Sequence, residues 1–169
     1  MNSVIETVKE NEREYSQGEP RPLKSYAGTL AVYGMAVGAA TVIARLTGRR
    51  APRLGVRDVA LMAVTTHKVS RTLAKDTVTS PLRAPFTRYK GTSGPAELAE
   101  EVRGKGVKHA IGELITCPFC MAQWVATAYT VGMTFAPDAT RLAGATMTAV
   151  AGADWLQLAY ARLQRAAED

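Results

Sequence analysis

Residues 25–44, SYAGTLAVYGMAVGAATVIA, run for 20 positions without a charged side chain. As a helix this stretch rises about 30 Å, the thickness of a bilayer's hydrocarbon core. A second neutral run, residues 114–137, LITCPFCMAQWVATAYTVGMTFAP, has 24 positions. A third, residues 142–161, carries one acid, Asp154. The first two runs lack the charged face that a surface helix of a soluble protein displays. The three are therefore read as membrane spans at about 25–45, 112–136 and 141–161. The alternative is a soluble helical bundle with apolar central helices, which the Ala-, Gly- and Thr-rich composition of the runs leaves open.

The charges lie between and around these runs. The chain of 169 residues holds 21 Lys and Arg against 15 Asp and Glu, a net +6. Residues 1–44 carry −1, residues 45–108 carry +9 and residues 109–169 carry −2. A basic block between neutral spans suits an anionic lipid surface, so lipid headgroups are the expected partner and nucleic acid is not. Glu6, Glu10, Glu12 and Glu14 make residues 1–24 a polar tail rather than a basic signal-peptide start. Within it residues 2–15 read as a short helix with Val4, Ile5 and Val8 on one side, broken by Gly18-Glu19-Pro20-Arg21-Pro22.

Residues 58–75 form an amphipathic pattern whose second half carries His67, Lys68, Arg71 and Lys75, expected to lie at the interface or to insert in part. Residues 76–108 read as a basic loop containing a short helix from Pro95 through Val102, and residues 164–169 as a tail. The expected architecture is all-α: a small helical membrane bundle over residues 25–163, with three spans, or four if the second helix inserts. With three spans and the N-terminus outside, sixteen basic residues face the cytoplasm and five face out; with four spans and the N-terminus inside, the split is thirteen to six. Both obey the positive-inside tendency, the first more fully.

His109, Glu113, Cys117, Cys120 and Trp124 are spaced by 4, 4, 3 and 4, which puts them on one helical face. Cys117-Pro118-Phe119-Cys120 is a CxxC pair, open to three readings. As a candidate redox pair it would cycle between dithiol and disulfide, although no thioredoxin-type βαβ pattern surrounds it. As metal ligands, Cys117 and Cys120 would need His67 or Asp154 from other helices. As a structural element, the cysteines pack as small apolar groups and Pro118 kinks the helix. The structural reading is preferred.

Asp154 lies about 18 Å into the last span, where an ionisable group marks a functional site or a structural ion pair; its expected partners are Lys68 or Arg71. Gly34 and Gly38, and likewise Ala145, Ala149 and Ala153, have the small-xxx-small spacing of closely packed helices. Lys75, Arg83, Arg88 and Lys90 are candidate ligands for lipid phosphates.

Two blocks, THKVSR at 66–71 with KDTVTSPLRAPF at 75–86, and GELITCPFC at 112–120 followed by Trp124, resemble the bacterial membrane-protein family known as Domain of Unknown Function 1360. The resemblance covers roughly residues 56–135. It implies a small bacterial membrane protein and marks Arg71, Asp76, Arg83, Glu113, Cys117, Cys120 and Trp124 as motif positions without giving any of them a role. The expected function is that of a non-enzymatic scaffold or accessory subunit in the bacterial cell membrane, working with a membrane-protein partner or as a homo-oligomer, without a cofactor. A membrane thiol–disulfide oxidoreductase is the second expectation and a metal- or ion-handling protein the third.

Overall fold

The computed structural model describes residues 2–17 and 21–168. It is mostly helical: α1 (Asn2–Ser16), α2 (Leu23–Leu46), α3 (Val56–Lys75), a 3-10 turn (Thr77–Thr79), a single-turn α4 (Ser80–Arg83), strands β1 (Thr87–Gly94) and β2 (Glu97–Val102), then α5 (Val107–Thr116), α6 (Pro118–Phe135) and α7 (Pro137–Glu168). In α1, Ile5 is exposed, while the Val4 and Val8 side chains, like residues 18–20, lie outside what is described.

Four long helices, α2, α3, α6 and α7, lie side by side. Their directions follow from the contacts. Arg21 and Tyr26, around the start of α2, meet Glu113 near the start of α6. Tyr33 of α2 then meets Trp124 and Thr127 of α6, so α2 and α6 run the same way. Asp58 of α3 meets Arg141 of α7, Thr65 meets Gly144, and Lys68 meets Asp154, so α3 and α7 are parallel to each other. The short α6–α7 connection reverses the chain, with Gly132 against Thr140 and Tyr129 against Gly144. The helices therefore alternate in direction along the chain.

Each end of α3 has a local cause. At its start the Asp58 carboxylate accepts the Gly55 N–H at 3.2 Å and the Arg141 guanidinium at 3.0 Å. At its end Asp76 adopts an extended backbone (ψ 146°) and stops the helix. The core where α3, α6 and α7 meet combines small residues of α3 and α7 with two large ones of α6: Thr65, Ser70 and Ala74 of α3, Gly144 and Ala151 of α7, and Tyr129 and Met133 of α6 are buried.

Five expectations are corrected. The chain is not all-α, because residues 87–102 form a two-stranded antiparallel hairpin where Pro95 was expected to open a helix. Positive φ at Ala96 (60°) and Gly91 (130°) supplies the turn and the bulge, and Glu97–Val102 pairs with Thr87–Gly94. The helix at 58–75 does not lie across the others; α3 packs lengthwise against α6 and α7. That alignment puts the N-terminal segment and the hairpin at one end of the bundle, not at opposite ends as the arrangement with three spans required. Residues 112–136 are not one continuous helix but parts of two, α5 and α6, bent by 82° at the break around Cys117. The tail at 164–169 is helical as far as Glu168. Finally, Ala145, Ala149 and Ala153 are exposed, and the packed stripe on α7 is Gly144, Met147, Thr148, Ala151 and Asp154.

Among the described residues one helix, α2, is long and apolar enough to cross a bilayer, with a mean hydropathy of 1.6 and 0% of that window buried. The bent pair α5–α6 passes the same test only when taken together.

Candidate functional site

The break at Cys117 builds the site. Pro118 cannot continue a helix from its predecessor, because its ring disfavours the helical region for the residue before it. Cys117 is accordingly extended (φ −99°, ψ 107°), ending α5 and capping α6. Pro118 itself is well placed at the first helical position, where no N–H is needed. The Cys117 Sγ accepts the backbone N–H of Cys120 at 3.2 Å, as a capping side chain does. The two sulfurs lie 2.7 Å apart, Cys120 donating to Cys117, and both are free thiols.

Glu113 stands one turn before Cys117 on α5. Its carboxylate accepts from Arg21 Nη1 at 3.0 Å and from the Tyr26 hydroxyl, and lies 3.4 Å from His109 Nε2. These contacts tie the start of α2 to α5. Arg21, Tyr26, Glu113, Cys117 and Cys120, together with Tyr15 of α1, line one open cavity of about 860 Å³. Chemically this is a dithiol at the N-terminus of α6. No cation follows Cys117 on its own helix, but the fold brings Arg21 into the same cavity from another segment. Arg21 and Tyr26 were not singled out from sequence, since no local pattern relates them to a glutamate some ninety positions away.

The other motif positions hold structure. The Arg71 guanidinium pairs with Glu97 of β2, and Asp76 forms an isolated bridge with Glu97. Trp124 lies edge-on to Tyr33, with ring centres 5.2 Å apart at 74°. Asp154 receives Lys68 Nζ at 2.8 Å, and the same ammonium lies 3.9 Å from Asp76, so Lys68 is shared by two carboxylates.

The candidate phosphate and metal ligands take other partners. Arg83 is 1% exposed and is consumed inside the protein, where it pairs with Glu100 and donates to the Leu73 and Asp76 carbonyls and to Thr79 Oγ1. It is therefore no ligand for lipid phosphate. Lys90 is paired with Glu101 at 2.9 Å, whereas Arg88 is exposed and Lys75 half-buried near the same end. The metal set is not assembled: His67 stacks obliquely on Trp155 at 6.2 Å, and among the described residues no three His, Cys, Asp or Glu side chains converge.

Over 71 residues the chain is 32% identical to the sporulation protein YjcA of Bacillus subtilis (strain 168), a match spanning 40% of this chain and 60% of that protein. No solved structure matches. The family described as Protein of unknown function (DUF1360) matches residues 61–160, from α3 through most of α7 and so beyond the stretch that the motifs delimit. With more than half of its length inside that match, the chain belongs to the DUF1360 family.

Proposed function

We propose that the chain is a multi-pass protein of the bacterial cell membrane, acting as a non-enzymatic scaffold or accessory subunit. One observation carries this reading: the 24-residue α2 holds 20 consecutive uncharged residues, and none of the helix is buried by the protein itself. An apolar surface of that length requires cover from lipid or from another protein. The alternating directions of α2, α3, α6 and α7 suit four crossings with the N-terminus, the hairpin and the C-terminus on the basic, cytoplasmic side. One charge on each of α3 and α7 is met within such a bundle, because Lys68 and Asp154 pair with each other. Likeness to a sporulation protein makes sporulation the first process in which to seek a phenotype.

The membrane reading predicts that the protein stays in the carbonate-washed membrane pellet and floats with vesicles. Recovery in the supernatant as a monodisperse species overturns it. A scaffold further predicts that the double variant Cys117→Ala, Cys120→Ala keeps its membrane level and its co-purifying partners.

A second reading is favoured by the capping geometry of Cys117, whose sulfur receives both an N–H and the neighbouring thiol. In it the pair exchanges with a disulfide on a partner protein: Cys117 thiolate attacks, a mixed disulfide forms, and Cys120 displaces the partner. The partner leaves as a dithiol while Cys117 and Cys120 become the disulfide, two electrons and two protons having passed to the partner. Maleimide trapping after equilibration in glutathione redox buffers should show an intramolecular disulfide that opens and closes reversibly. A pair that stays reduced under strong oxidant removes this reading and leaves the scaffold standing.

A further inference from the structure

On the opposite end of the molecule from the cysteines, α2 and α6 diverge. Beyond the contact of Tyr33 with Trp124 and Thr127 they leave a groove of about 590 Å³. Its walls are apolar, with Val37, Ala40 and Ala44 on α2 facing Ala126, Val131 and Phe135 on α6. The threonine hydroxyls along it are already used, since Thr41, Thr130 and Thr134 each donate to the carbonyl one turn back in their own helix. The slot therefore offers a ligand little but carbon.

Arg45 and Arg49 line its end. Backbone geometry holds Arg49 there. Gly48 takes φ +68°, its N–H donates to the Arg45 carbonyl at 3.1 Å, and the Arg49 N–H donates to the Ala44 carbonyl at 2.8 Å. This paired closure folds the chain back over the last turn of α2 and needs a residue that tolerates positive φ. Among the described residues Arg45 and Arg49 have no carboxylate at ion-pair distance, whereas Arg21, Arg71, Arg83 and Arg141 all do.

We infer that this groove binds one anionic phospholipid, with an acyl chain in the slot between α2 and α6 and the phosphate on Arg45 and Arg49. Guanidinium groups present paired N–H donors that match phosphate oxygens. Charge complementarity selects a lipid with net negative charge over a zwitterionic one, and the apolar slot selects a lipid over a free anion. The inference rests on the membrane reading above.

The test uses the full chain in mild detergent, probed by native mass spectrometry with phosphatidylglycerol and phosphatidylcholine of identical acyl chains. The wild type should retain phosphatidylglycerol about tenfold better, the scale of one lost charge-assisted contact. The double variant Arg45→Ala, Arg49→Ala should lose that preference, while Arg50→Ala, Arg53→Ala should keep it. Ala40→Phe fills the slot and leaves both guanidiniums in place, so it should release the lipid; its folding is checked by tryptophan fluorescence. Equal retention of the two lipids by the wild type, or an unchanged preference in the Arg45 and Arg49 variant, overturns the proposal. So does displacement of the lipid by millimolar inorganic phosphate, which would show a free-anion site. Vesicle flotation of the same preparation separates the two failures: protein that floats without lipid preference refutes this site alone, and protein that does not float refutes the membrane reading with it.

Discussion

Arg83→Met should destabilise the protein by about 3–5 kcal/mol, the cost of leaving one member of a buried ion pair without its partner. The side chains of Arg83 and Glu100 are 1% and 6% exposed. Removing the guanidinium strands the Glu100 carboxylate and also frees three other acceptors. Those are the Leu73 carbonyl (2.8 Å), the Asp76 carbonyl (2.9 Å) and Thr79 Oγ1 (2.6 Å). The carbonyl of Leu73 belongs to the last turn of α3, where no later N–H of the helix reaches it. Arg83 thus acts as a side-chain cap for α3 while anchoring the hairpin. Denaturant titration in detergent micelles, followed by tryptophan fluorescence, measures the loss. Arg83→Lys should fall between wild type and Met, because one ammonium replaces the charge but cannot span the same acceptors. Arg83→Met combined with Glu100→Leu should recover much of the loss, since the stranded charge goes with its partner. A double variant no more stable than Arg83→Met places the cost in the freed carbonyls rather than in the ion pair.

The long neutral runs were legible because helix length and missing charge are local properties. The α2 run is observed with nearly the expected bounds, and so is the pairing of Asp154 with Lys68, one of its two expected partners. The bend at Cys117 was legible in kind, since proline was expected to kink the chain, but not in degree: Pro118 begins a new helix at 82°. The hairpin was missed because Glu97-Leu98-Ala99-Glu100-Glu101-Val102 has no strict alternation and contains good helix formers. Its strand state is imposed from outside, by β1, by Arg83 on Glu100 and by Arg71 on Glu97. Charge counting sent Arg83 and Lys90 to the lipid, because composition does not reveal that acidic residues of β2 would neutralise them. The same blindness to distant partners hid Arg21 and Tyr26, which complete the surroundings of Glu113.

Gly144 is where the helix-only part of the fold has least room. A Cβ there would lie 2.5 Å from the Tyr129 hydroxyl and 2.9 and 3.1 Å from carbons of its ring. Tyr129 is 7% exposed, so its ring has nowhere to swing. The Gly144 carbonyl also accepts from Thr65 Oγ1 at 3.0 Å, so pushing α7 away from α6 breaks a contact with α3 as well. Gly144→Ala should therefore cost about 1–3 kcal/mol by overpacking, despite alanine's better helix propensity, and Gly144→Leu should prevent the close packing of α6 and α7. Tyr129 offers the compensating change. Its buried hydroxyl has no hydrogen-bond partner among the described residues, so Tyr129→Phe alone should be neutral or stabilising. Phenylalanine removes the atom at 2.5 Å but leaves the ring carbons, so Gly144→Ala with Tyr129→Phe should be rescued in part and the pair should be non-additive. Thermal unfolding of the four proteins in one detergent gives the coupling. Strict additivity, or a Gly144→Leu variant as stable as wild type, would show that α7 does not approach Tyr129 this closely.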